Sequence, residues 1–148
     1  MLHLLFKRPA GGRMKVLCLG AHCDDIEIGC GGTVLRLVEE NPGLEILWKV
    51  FSSNKVRKKE AEKSAALFAG NKTKLKCMVG NYRDGFFPYL GMQIKEDFEA
   101  LKAQFSPDLI MTHHTDDLHQ DHRLISELTW NTFRDHLILE YEVPKYDG

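Results

Sequence analysis

The 148-residue sequence lacks a surplus of either charge: 20 basic against 21 acidic residues leave a formal net charge of -1. No global field therefore recruits nucleic acid or anionic lipid. The basic residues cluster once, in Lys55-Val56-Arg57-Lys58-Lys59, but Glu60 and Glu62 follow at once, as on a solvated helix start. Long apolar runs are missing too. Leu4, Leu5 and Phe6 are interrupted by Lys7, Arg8 and Pro9, too short a stretch for a signal peptide or a membrane-spanning helix. Cys18, Cys23, Cys30 and Cys77 fall in no CxxC pair, so they read as reduced thiols, and the expected location is the cytoplasm. Internal repeats, low-complexity tracts and an interdomain linker are absent as well.

What remains is the alternation of short apolar runs with helical patterns. Val16 to Gly20 has the length and continuity of a strand covered on both faces. Gly29, Gly31 and Gly32 read as a turn after it, and Thr33 as the opening of a helix with Val34, Leu35, Leu37 and Val38 inward, stopped by Asn41-Pro42-Gly43. A strand over 44–51, a helix over 57–69 with Ala61, Ala65, Leu67 and Phe68 inward, and a strand over 75–79 follow. Further on come a helix over 93–104, a strand over 109–112, a helix over 122–133 and a last strand over 136–143. Strands alternating with helices predict an α/β, Rossmann-like three-layer fold with a mainly parallel sheet. The expected organisation is a peripheral leader over 1–13 and one domain over 14–148. Its end on a strand-to-loop transition reads as a chain cut short, leaving a sheet edge prone to self-association into a homo-oligomer.

In parallel sheets, ligands bind beyond the carboxyl ends of the strands, near the point where strand order reverses. Two polar clusters lie at such ends. Ala21-His22-Cys23-Asp24-Asp25 follows the first strand; His113, His114, Asp116, Asp117, His119, Asp121 and His122 crowd after the fourth. Imidazole and carboxylate are ligands for divalent metals, and a catalytic site needs about three of them with a position left open. His22, Asp25 and His122 satisfy that need. Such an ion lowers the pKa of a coordinated water to about 7, which suits amide hydrolysis. Asp24 is then placed as general base, and His119, three residues before His122, as donor to an oxyanion. Asp117 or Asp121 can orient an imidazole from behind. His113 and His114 are intermediate, one closing the strand or touching substrate; Arg83, Asp84 and Gly85 sit on the same rim. Gly29-Cys30-Gly31-Gly32 has neither the GxGxxG order nor a GK[ST] ending, so a phosphate cradle is not indicated.

The segments 21–33, AHCDDIEIGCGGT, and 112–123, THHTDDLHQDHR, together resemble the PIG-L/LmbE-like deacetylase family, whose hallmarks are AHPDD running into GCGGT and a late HxDH. The resemblance implies a Rossmann-like fold and zinc-dependent removal of acetyl groups from N-acetylglucosamine-type sugars or their conjugates. His22, Asp25 and His122 match its metal ligands, Asp24 its base and His119 its oxyanion-stabilising histidine; Arg57, Glu60 and Asp84 also resemble family positions. Cys23 stands where the family has proline, read here as a tolerated substitution. Family members also continue beyond the last strand, so metal binding is expected to survive better than turnover. Iron(II) or another divalent ion is an alternative to zinc. A metal-dependent phosphoesterase and a non-catalytic binder of sugar or nucleotide conjugates are the alternative functions.

Overall fold

A computed structural model describes residues 12–71 and 73–144. Most of the expected leader, 1–11, lies outside the described residues; Gly12 and Arg13 are exposed coil leading into the first strand. The elements are β1 (Lys15–Gly20), α1 (Asp25–Glu40), β2 (Glu45–Val50), α2 (Lys55–Ala69), β3 (Lys74–Val79), a 3-10 turn (Phe87–Leu90), α3 (Gly91–Gln104), β4 (Leu109–His113), α4 (Gln120–Thr132) and β5 (Leu137–Tyr141). The strands are all parallel, in the order β3-β2-β1-β4-β5. Because β2 and β3 build outward on one side of β1 while β4 and β5 build on the other, strand order reverses between β1 and β4. That crevice is where the two polar clusters meet.

Side-chain alternation along the strands divides the core in two. Val16, Cys18, Ile46, Trp48 and Met111 pack against α1 and α2 through Ile26, Val34, Leu37, Ala61 and Ala65. Leu17, Leu19, Leu47 and Ile110 pack against α3 and α4 through Ile94, Phe98, Leu101 and Ile125. This is the three-layer arrangement the patterning predicts, with both faces of the sheet covered.

The start of α1 departs from the sequence reading. The glycines at 29, 31 and 32 are not a turn; they lie inside a helix that begins at Asp25. Tertiary packing outweighs the helix penalty of glycine here, because a Cβ on Gly29 would run into the Tyr141 ring and one on Gly31 into Phe68. Leu35 and Leu67, expected inward, face solvent instead. Each glycine in a helix interior costs about 1 kcal/mol relative to alanine, so the sign of a substitution reports on space. Gly32, with nothing near its missing Cβ, is expected to gain up to about 1 kcal/mol as Gly32→Ala. Gly29→Ala is expected to lose about 1–3 kcal/mol through overpacking. Urea unfolding of both variants checks this, and a stabilised Gly29→Ala would contradict the packing of α1 against Tyr141.

Candidate metal centre

The turn from β1 into α1 is only four residues long, so His22 and Asp25 emerge directly above the sheet. Asp24 is the N-cap residue of α1, and Asp25 its first helical residue. On the other side of the crevice, His119 caps α4, its side chain accepting the Asp121 amide, and His122 lies in the first turn. The two clusters, about a hundred residues apart in sequence, then touch. His22 Nδ1 lies 3.2 Å from His122 Nε2 and 3.3 Å from Asp25 Oδ2, and His122 Nε2 lies 3.5 Å from the same oxygen.

These separations fit a divalent cation. A tetrahedral ion with bonds of about 2.0–2.1 Å spaces its ligand atoms about 3.3–3.4 Å apart. The outer nitrogens agree with that reading. His122 Nδ1 lies 2.9 Å from Asp117 Oδ2, and His22 Nε2 lies 3.0 Å from Asp84 Oδ1 and 3.4 Å from Asp121 Oδ2. With a cation bound, each imidazole would donate its N–H outward to a carboxylate and turn its lone pair inward, the usual arrangement behind a metal-ligating histidine. Asp25 is fully buried, and its Oδ1 has no hydrogen-bond partner among the described residues. A buried carboxylate with a free oxygen is costly unless a cation faces it.

The electrostatics follow from this crowding. Burial would raise the Asp25 carboxyl, but the imidazoles of His113, His122 and His22 packed around it hold it far below the usual carboxylate range. Burial would lower His22, yet Asp121, Asp25 and Asp84 outweigh it and raise the imidazole to about 9. His122 is raised for the same reason, by Asp25 and Asp117 against burial. At His119 burial and the neighbouring His122 and His22 outweigh Asp121 and Asp84 and push the imidazole down. Its neutral ring accepts the Asp121 amide at Nδ1, 3.2 Å away, so its proton resides on Nε2.

Asp121 ties this site to the loop before the 3-10 turn: its carboxylate accepts the amides of Gly85 at 2.6 Å and Phe87 at 3.1 Å. Arg57, positioned by the Asn54 cap of α2, lies 3.3 Å from Asp24 Oδ2. A cleft of about 250 Å³ opens beside His22, lined by Ser53, Asn54, Arg57, Asn81 and Asp84 among others. Cys23 is buried and donates its thiol to the Ser52 carbonyl at 3.4 Å; burial raises its pKa, which leaves the thiolate disfavoured.

His114 does not join this group. It follows the strand's alternation to the outer side and lies 2.8 Å from Glu140, whose carboxylate also accepts from Thr115 and Trp130. The inward residue is His113, fully buried and stacked on His122 with ring centroids 4.0 Å apart. The sequence offered the adjacent pair but no way to choose, because β4 is buried on both faces.

A family model described as "PIG-L: GlcNAc-PI de-N-acetylase" matches residues 17–133, which span both clusters. The chain belongs to the PIG-L family. Among PIG-L relatives, an uncharacterized deacetylase of Escherichia coli (strain K12), YaiS, is 27% identical over 146 residues, covering 91% of this chain and 77% of YaiS. The N,N'-diacetylchitobiose deacetylase of Pyrococcus horikoshii, solved with an inhibitor, is 26% identical with a TM-score of 0.60 over 81% of this chain and 49% of its own. The present chain thus spans about half the length of that enzyme. Teicoplanin deacetylase Orf2, solved in a zinc-inhibited form, shares the fold at a TM-score of 0.73 with 12% identity, covering 90% of this chain and 69% of its own. The PIG-L fold and its five-stranded parallel sheet are therefore those of this chain.

Asp117 gives a direct check on the centre. Removing an outer-shell partner of a ligating histidine costs about 10–100-fold in metal affinity. Asp117→Ala is expected to show that loss in competition with a chromophoric chelator. Unchanged affinity would reduce the Asp117 contact to a loop fastening.

Proposed function

We propose that this chain hydrolyses the N-acetyl group of an amino sugar or its conjugate, using a divalent cation, zinc as the family resemblance implies, held by His22, Asp25 and His122. The observation that carries this reading is the triangle of 3.2, 3.3 and 3.5 Å between their facing atoms. When bound, the cation would supply a Lewis acid for the acyl carbonyl and an acidified water.

The protein's own groups supply the rest. Asp24, beside the triangle and held 3.3 Å from Arg57, accepts the proton of the attacking water and returns it to the departing amine. His119 presents Nε2–H, because its Nδ1 is taken by the Asp121 amide, and donates to the oxyanion of the tetrahedral intermediate. Hydroxyl, amide and charged groups of Ser53, Asn54, Asn81, Arg57 and Asp84 line the adjoining cleft. A wall of that kind suits a polyol ring more than an apolar ligand. Amine release from N-acetylated amino sugars by the metal-loaded chain tests the proposal. Hydrolysis of phosphate esters with none of N-acetyl groups would replace it with the phosphoesterase reading.

Metal uptake carries a pH signature. His22 is raised to about 9 without metal, so at pH 7 it holds a proton that ligation must displace. A raised pKa favours the protonated, metal-free form as pH falls. Apparent affinity is therefore expected to rise about tenfold per pH unit for each proton released, levelling off above about 9. Calorimetry in two buffers of different ionisation enthalpy counts those protons; a flat affinity between pH 6 and 8 would contradict the protonation of His22.

A further inference from the structure

His113 is the residue at this centre that the mechanism leaves without work. It ends β4, is fully buried, and stacks on His122 at an interplanar angle of 13°. Its Nε2 accepts the backbone amide of Ala21 at 3.0 Å and lies 3.3 Å from Asp25 Oδ2 and 3.5 Å from the Tyr141 hydroxyl. Tyr141 itself donates to the Leu19 carbonyl at 2.6 Å, so its proton is directed away from the ring.

One nitrogen cannot both accept the Ala21 N–H and donate to Asp25. The Ala21 N–H is fixed by the backbone and points at Nε2, which makes Nε2 the acceptor and puts the proton on Nδ1. That Nδ1 has no hydrogen-bond partner among the described residues. A buried unsatisfied donor is destabilising, and an apolar ring of similar size would avoid that. What an apolar ring could not do is hold the Ala21 amide. Ala21 precedes His22, whose own amide donates to Asp25 Oδ2 at 2.6 Å. The β1 to α1 turn is therefore clamped at successive residues: Ala21 to β4 through His113, and His22 to Asp25.

We propose that His113 is a positioning residue, whose Nε2 lone pair fastens the Ala21 amide to β4 and so sets His22 and Asp25, with its ring face fixing His122. It touches neither substrate nor reacting atoms; it acts through the three donors. Its expected effect on metal affinity rests on the metal reading above, whereas the tautomer does not.

Nitrogen-15 NMR of the full, metal-free chain reads the tautomer: the expected spectrum has an unprotonated Nε2 and a protonated Nδ1 at His113. A protonated Nε2 would overturn the clamp, whatever the metal does. Chelator competition with zinc then compares the native chain, His113→Gln and His113→Leu. Outer-shell losses run to about 10–100-fold, expected for His113→Leu, while His113→Gln, which keeps an acceptor near the Nε2 position, is expected to recover most of the affinity. Equal affinity of His113→Leu and the native chain, or an equal loss in both variants, would also overturn it. Should His113→Leu fail to fold, the NMR result and His113→Gln still decide. A native chain that takes up no zinc would defeat the proposed function and leave the tautomer result standing.

Discussion

Asp24→Asn is expected to lower the turnover of amine release by about 10²–10⁴-fold, the range contributed by a positioned general base, while metal content stays native. The separation of the two effects comes from geometry. Asp24 is not one of the three donors whose facing atoms lie 3.2–3.5 Å apart; it is the N-cap of α1, with 41% of its side chain exposed and Arg57 at 3.3 Å. Asparagine has nearly the same shape and can still meet the guanidinium, but it cannot take up a proton. The substrate's KM should therefore move little. Turnover within a few-fold of native would place the base elsewhere, with Asp84, 3.0 Å from His22 Nε2, the next carboxylate to test.

Asp25→Asn is expected to abolish metal-dependent behaviour altogether. Asp25 supplies the only negative donor of the triangle, is fully buried, and accepts the His22 amide at 2.6 Å. Its loss removes a ligand charge and leaves His22 and His122 facing each other across 3.2 Å. The fall in metal affinity should exceed the roughly 10–100-fold that follows loss of an outer-shell partner. A ligand that binds only the folded state raises its melting temperature, so zinc should stabilise the native chain and leave Asp25→Asn unmoved. The variant should also melt lower without metal, since breaking one side of a buried charged cluster costs about 3–5 kcal/mol. Zinc stabilisation equal to native in Asp25→Asn would remove it from the centre.

The sheet was legible because each strand is a short apolar run between turn residues, and the helices α2 to α4 keep a one-sided stripe. What patterning could not reveal was the start of α1. Glycine lowers helix propensity, so Gly29, Gly31 and Gly32 read as a turn; their role is set by Tyr141 and Phe68, which approach from β5 and α2 and are invisible to local sequence. Leu35 and Leu67 were misplaced for the opposite reason. They are apolar at positions adjacent to the buried stripe, and periodicity alone does not say where a stripe ends.

The polar clusters announced themselves by composition and by their place after β1 and β4, and the fold brings His22, Asp25, His119 and His122 together. The division of the outer carboxylates was open: Asp117 stands behind His122, and Asp121 behind His22 while holding the Gly85 and Phe87 amides. The pairing of Asp121 with His22 joins residues far apart in sequence, so only the topology could assign it. His113 was hidden because alternation loses its meaning in a strand with both faces buried.

The most direct measurement is an anomalous-difference map at the zinc edge from crystals of the chain purified with zinc. The expected result is a single strong peak within about 2.0–2.2 Å of His22 Nδ1, an Asp25 carboxylate oxygen and His122 Nε2. A map with no peak there, or with its peak among Asp84, His119 and Asp121 instead, would contradict the assignment of the metal centre.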